Sequence, residues 1–258
     1  MQASNDPFDS SSNQHVREDL AAAHRWAVRH ELNEGICNHF TAMVPGKPEQ
    51  FFVLPYGLHW AEARASHFME TGFDGKVRAG SGDVEVTAYC IHAPLHQARS
   101  DAKVVLHTHM PYASALTRLE DPTLRNIGQT ELGMASLAAY DTEYNGLALD
   151  PSEGHRMARV LGPKAKVLFL AHHGVITIGK TVGEAYDLLY FVERACKSQL
   201  FALWTGQRLK TISQEVVTHT LNQHKGLPTY TGGSTGEMHL KSLRRLLDAD
   251  PREDTYRQ

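Results

Sequence analysis

Two short runs of apolar and β-branched residues constrain the fold more than any other feature. They are Lys103–Met110 (KVVLHTHM) and Lys166–Ala171 (KVLFLA). Both have the content of buried strands, and the second leads through His-His-Gly into VITIG, a further strand candidate. Helical segments surround them. From His15 to about Asn33, Val16, Leu20, Ala23, Ala27 and Leu32 form one apolar stripe, which predicts an amphipathic helix. Thr181-Val-Gly-Glu184 has the form of a capping box. It opens a long helix through Ala185, Leu188, Leu189, Val192, Ala195, Leu200 and Leu203, with Gly206 as its stop. His39–Val44 and Gln50–Leu54 read as strands joined by a PGKPE turn, and Phe73–Val77 carries another turn signal. Thr87–Arg99 reads as a helix in which Pro94 removes one internal hydrogen bond.

This mixture predicts an α/β or α+β fold around a central sheet. Residues 1–14 are polar and are expected to form a disordered arm. The main domain is expected over 15–212, and a C-terminal extension over 213–258 carries a short helix near Leu240–Leu247. No internal repeat or linker divides the chain.

Composition narrows the function classes. With 258 residues, 41% of them hydrophobic, the chain can bury a large core. A net charge of −3 argues against a broad nucleic-acid surface. The start lacks the basic and apolar regions of a signal peptide, and there is no apolar run of membrane-spanning length. Three cysteines without a CxxC pair argue against a disulfide framework and fit a reducing compartment. A soluble cytoplasmic protein is therefore expected. The 16 histidines point to imidazole chemistry without locating it.

His107-Thr108-His109 locates a first candidate. Side chains two apart on a strand share a face, so these imidazoles can chelate one metal ion; a partly exposed histidine pair is the alternative. His172-His173-Gly174 follows the second strand, where the glycine can adopt backbone conformations that other residues avoid. Three histidines from two strand segments leave a fourth position open, as in catalytic zinc sites. Zn2+ suits imidazole donors best, with iron, nickel and manganese as alternatives.

Three stretches, VVLHTH, KVLFLAHHGVITIG and TVGEAYDLLYFVERACKSQL, resemble the class II aldolase/adducin family, and the similarity runs from about Arg17 to Leu209. The resemblance implies a single three-layer α/β/α domain with a mainly antiparallel sheet. It implies a divalent metal held by His107, His109 and His173, a small-molecule substrate, and homotetramers with sites between subunits. The C-terminal LRRLLDADPREDTYRQ resembles bacterial adducin-like members.

Departures from the family pattern are equally informative. The sugar-phosphate aldolases carry a catalytic glutamate nineteen residues before the first metal histidine, and that position is Ala88 here. Their phosphate loop aligns with Asn38-His39-Phe40-Thr41, their serine-glycine pair with Tyr56-Gly57, and two further serines with Val86-Thr87. A phosphorylated sugar is therefore not the expected substrate.

A placed acid/base commonly contributes about 10²- to 10⁴-fold, and alanine contributes none. Decarboxylation needs an electron sink but no base to take a proton from carbon. The expectation is a metal-dependent lyase for a small, unphosphorylated oxo or hydroxy acid, with decarboxylation ahead of aldol cleavage. The alternatives are a true aldolase or epimerase with a substitute acid/base, and a non-catalytic adducin-like scaffold.

Glu85 is the candidate catalytic carboxylate, with a solvated loop position as its alternative. His39, Tyr56 and Gly57 are the candidate substrate contacts. His92 and His96, spaced i and i+4, read as helix-surface or structural histidines. His172 reads as packing, and His155, His219, His224 and His239 read as exposed.

Overall fold

The computed structural model describes residues 13–225 and 233–258. Most of the expected N-terminal arm thus lies outside the described residues. Its last two positions, Asn13 and Gln14, instead begin the first helix, α1 (Asn13–Arg29). The expected stripe Val16, Leu20, Ala23 and Ala27 is buried along it. The helix stops before Asn33 because Glu31 takes a left-handed φ of 58°. Leu32 N–H then donates to Ala27 O at 2.8 Å and Glu31 N–H to Val28 O at 3.1 Å, a Schellman closure with glutamate in the usual glycine position.

Eight strands form one sheet: β1 (His39–Met43), β2 (Gln50–Val53), β3 (Met69–Gly72), β4 (Val77–Ala79), β5 (Val104–Thr108), β6 (Ala138–Asp141), β7 (Val167–Leu170) and β8 (Val175–Gly179). Their order is β4-β3-β2-β1-β5-β8-β7-β6. Every neighbouring pair is antiparallel except β6–β7, so the sheet is mainly antiparallel as expected. The remaining helices are α2 (Val86–Ala98), α3 (Pro111–Leu116), α4 (Gln129–Ala135), α5 (Pro151–Leu161), α6 (Val182–Trp204), α7 (Gln214–Lys225) and α8 (Thr235–Asp248).

Strand alternation divides the core into two layers. Phe40, Val104, Leu106, Phe169 and Val175 face α1, α6 and α8, while Val105, Leu168, Ile176 and Ile178 face α2 and α5. The result is the expected three-layer α/β/α sandwich.

Two close helix contacts depend on glycine. A Cβ on Gly183 of α6 would lie 2.8 Å from Gly236 O and 2.9 Å from Glu237 Cα of α8. In the other layer, a Cβ on Gly154 of α5 would lie 2.1 Å from Cys90 O. That carbonyl lies four residues before Pro94, which has no N–H to return to it.

Thr181 caps α6 by accepting from Glu184 N–H, but Glu184 accepts from Lys180 N–H, one residue before the reciprocal arm of a full capping box. The single short helix expected near 240–247 is corrected to two helices, α7 and the longer α8. Leu240, Leu243 and Leu247 of α8 are buried, and Arg244 binds Glu18 and Asp19 of α1.

His24 of α1 is wholly enclosed by the rings of Phe40, Trp60 and Phe68, and burial lowers its pKa to about 4. Its Nδ1–H donates to Leu20 O at 2.7 Å, leaving Nε2 without a partner. The unfolded chain takes up this proton below about pH 6.5, whereas the folded protein resists it to about pH 4. Stability is therefore expected to fall as pH drops through that window, by about 3 kcal/mol from this residue. In urea titrations the stability of wild type relative to His24→Leu should fall by about 3 kcal/mol as pH drops through that window; parallel profiles would contradict this assignment.

Candidate functional site

The site grows from one register. In the β1–β5 pairing His39 lies directly opposite His107, and in the β5–β8 pairing His107 lies opposite Ile176. Residues directly opposite share a face, so β1 and β5 bring two imidazoles together on the α2 side of the sheet. His109 follows at the end of β5, and the turn between β7 and β8 supplies His173.

His107, His109 and His173 each offer a ring nitrogen, and these donor atoms lie within 4.8 Å of one another. Two of the rings have their second nitrogen engaged. His107 Nδ1–H donates to Val175 O at 3.1 Å, and His109 Nδ1–H donates to Glu34 Oε2 at 2.5 Å. In neutral rings both Nε2 atoms then carry lone pairs, although they stand only 3.1 Å apart. Two converging acceptors cannot bond each other, but they can share a cation. A carboxylate behind a ligand imidazole is also the usual support for a bound metal. The donor set therefore fits a divalent metal ion.

The electrostatics agree. Burial, reinforced by the neighbouring imidazoles, holds His107 well below the usual histidine range. Burial also lowers His173 to about 4, with His109 and Arg118 adding to it. Rings that resist protonation keep their lone pairs near neutral pH.

Gly174 has a different role from the one expected. The left-handed φ in this turn, 56°, belongs to His172. Gly174 matters because a Cβ there would fall 2.3 Å from Thr108 O and 2.9 Å from His109 Cδ2. Its missing side chain lets the turn close against the end of β5, with the His173 ring centroid 4.6 Å from that of His109.

The three histidines line a cavity of about 390 Å³ that also includes His39, Thr87 and Glu85. His39 Nε2 is 3.2 Å from Thr87 Oγ1 and 3.8 Å from Glu85 Oε2. Glu85 is the N-cap of α2: its carboxylate accepts from Ala88 N–H at 3.0 Å and from the Thr87 hydroxyl. Ala88 itself is fully buried in the first turn of that helix. Tyr56 is half exposed on the cavity wall, whereas Gly57 makes a turn with φ 97° and does not line the cavity.

His92 and His96 take the structural alternative: both are buried and hydrogen-bonded, not on a helix surface. Two other histidine expectations change. His172 lines the cavity beside Tyr144, and His239 is partly buried with Asp187 at 2.7 Å.

Glu34 and Arg118 went unrecognised in the sequence, and Thr87 stood there only as a departure from a family serine. Arg118 stands on the cavity wall near His173, with its guanidinium bonded to Ser114 O. The loop after β6 completes an apolar wall with Leu147 and Leu149.

This fold and site define a class. The class II aldolase and adducin N-terminal domain family matches residues 18–200, and the chain belongs to that family. It is 30% identical over 236 residues to a putative aldolase class 2 protein of Caulobacter vibrioides, covering 91% of this chain and 90% of that protein. Alpha-adducin of Rattus norvegicus is 29% identical over 244 residues, covering 90% of this chain but 33% of adducin. Among solved structures, an aldolase II superfamily protein from Pseudomonas syringae superposes with a TM-score of 0.85 at 31% identity, covering 100% of this chain and 98% of that one.

Proposed function

We propose that this protein is a zinc-dependent carbon–carbon lyase acting on a small, unphosphorylated oxo or hydroxy acid, with decarboxylation favoured. The observation that carries the reading is the convergence of His107 and His109 Nε2 atoms beside His173, on the wall of a cavity large enough for a small acid. Bound by these three residues, the cation supplies Lewis acidity toward a substrate oxygen.

The protein's own groups supply orientation and proton handling. Arg118 offers a cation to a substrate carboxylate at the His173 side of the cavity. Ala88 offers no proton acceptor, which favours a reaction in which carbon dioxide, not a proton, leaves carbon. Glu85 is the carboxylate on the wall closest to His39 and is proposed to take up a proton from water in each turnover and pass it to the carbon left behind. Leu147 and Leu149 add apolar lining to the cavity.

Carbon dioxide release from a panel of oxo and hydroxyaryl acids by zinc-loaded protein tests the proposal. Turnover of at least one acid is expected, and inertness across the panel would contradict it. The similarity to alpha-adducin keeps a scaffold as the second reading, and that reading expects inertness. Cleavage of hydroxy-ketone substrates without carbon dioxide release would favour an aldolase that uses Glu85, and inversion at a hydroxyl-bearing carbon without net cleavage an epimerase.

The proposed assembly is a homotetramer, the protein being cytoplasmic. Exposed Phe201, Leu203 and Trp204 at the end of α6 give it an apolar surface to cover. Light scattering is expected to report four chains, and a stable monomer would overturn this part. Among the described residues no helix is long and apolar enough to cross a membrane.

A further inference from the structure

Behind His39 runs a buried chain of hydrogen bonds that the proposed chemistry does not use. His39 Nδ1 lies 2.7 Å from His92 Nε2, and His92 Nδ1 lies 2.7 Å from Thr41 Oγ1. Thr41 Oγ1 lies 2.9 Å from His96 Nε2, and His96 Nδ1 lies 2.5 Å from Ala102 O. All four side chains are buried. We infer that His92, Thr41 and His96 are positioning residues that fix the tautomer of His39, so that its Nε2 lone pair faces the cavity as the acceptor for a ligand hydroxyl.

The direction of the chain follows from counting protons. A carbonyl only accepts, so His96 Nδ1 carries a proton and, in a neutral ring, its Nε2 is an acceptor. Thr41 has one hydroxyl proton, and whether it goes to His96 Nε2 at 2.9 Å, the shorter contact, or to Val105 O at 3.4 Å, the Thr41 oxygen is left to accept from His92 Nδ1–H. His92 Nε2 is then an acceptor, and His39 Nδ1–H is its donor. That leaves His39 Nε2 without a proton.

Its neighbour Thr87 also has only one hydroxyl proton, and the Glu85 carboxylate takes it. Thr87 Oγ1 and His39 Nε2, 3.2 Å apart, are therefore two acceptors side by side on the cavity wall. A ligand hydroxyl satisfies His39 by donating to it. An ether or a bare carboxylate oxygen cannot. This selects hydroxy acids among the substrates considered above and rests on that reading of the cavity; the tautomer itself does not depend on it.

Nitrogen NMR of isotope-labelled histidine, near neutral pH, reads the tautomer directly. His39, His92 and His96 are expected to carry their protons on Nδ1. Thr41→Ser should retain this pattern, whereas Thr41→Val should abolish the His39 preference without changing zinc content. A wild-type His39 protonated on Nε2, or an unchanged tautomer in a folded Thr41→Val, would overturn the inference.

Glycolate and methoxyacetate then test the ligand class on zinc-loaded protein, because they differ in the hydroxyl proton. Glycolate is expected to bind about tenfold more tightly. Equal binding, or failure of both to bind, would overturn the hydroxyl assignment. A protein that binds no zinc but keeps the Nδ1–H tautomer would sink the lyase reading and leave the relay standing.

Discussion

Gly183→Leu is expected to destabilise the protein by about 3 kcal/mol or more, a large fraction of the stability of an ordinary domain. The cause is backbone contact, not side-chain fit. A Cβ at this position would already lie 2.8 Å from Gly236 O, and one at Gly236 would lie 2.7 Å from Gly183 O. Any larger side chain must push α8 off α6, disturbing Leu240, Leu243 and Leu247 together. Helix α8 also holds Arg244 against Glu18 and Asp19, so the loss would spread to α1. Urea denaturation measures the effect. Gly236→Ala should give the same sign at smaller magnitude, and an unchanged midpoint in both variants would show that the crossing is not tightly packed.

His173→Ala is expected to weaken zinc binding by more than about 100-fold and to abolish turnover of any acid found to be a substrate. The comparison that gives this meaning is Glu34→Gln. Glu34 supports His109 from behind and does not join the donor set, so its loss should cost about 10- to 100-fold in affinity. A chelator competition titration orders the three proteins. If Glu34→Gln is as severe as His173→Ala, the ring of His173 is not a ligand and the cation sits elsewhere. Equal affinity in all three would remove the metal from this cavity altogether.

Much of the fold was legible because its signals are local. The runs at 103–110 and 166–171 are continuous apolar strands, and the α6 stripe repeats with helical period up to Gly206, whose φ is 69°. Helix α5 went unrecognised although its ends are marked: Asp150 caps it, Pro151 opens it and Gly162 follows it with a φ of 61°. Strand β6 is only four residues long, and its place depends on parallel pairing with β7, which local sequence does not encode.

The same division holds in the site. His107 and His109 were visible as a pair because a strand's period of two lies in the sequence itself. The meeting of His39 with His107 depends on sheet register, and that of Glu34 with His109 on tertiary packing. His92 and His96 were correctly spaced on one helical face, but spacing could not tell that α2 turns this face toward Thr41. Gly174 was singled out for its backbone freedom, whereas its function is to leave room for Thr108 O.

The central claim is that His107, His109 and His173 hold a divalent metal ion. Elemental analysis of wild-type protein, prepared without chelators and supplied with zinc, tests it most directly when run beside His107→Ala. About one equivalent of zinc per chain is expected in the wild type, and little or none in a folded His107→Ala. Metal-free wild type, or equal zinc in the two proteins, would contradict the account.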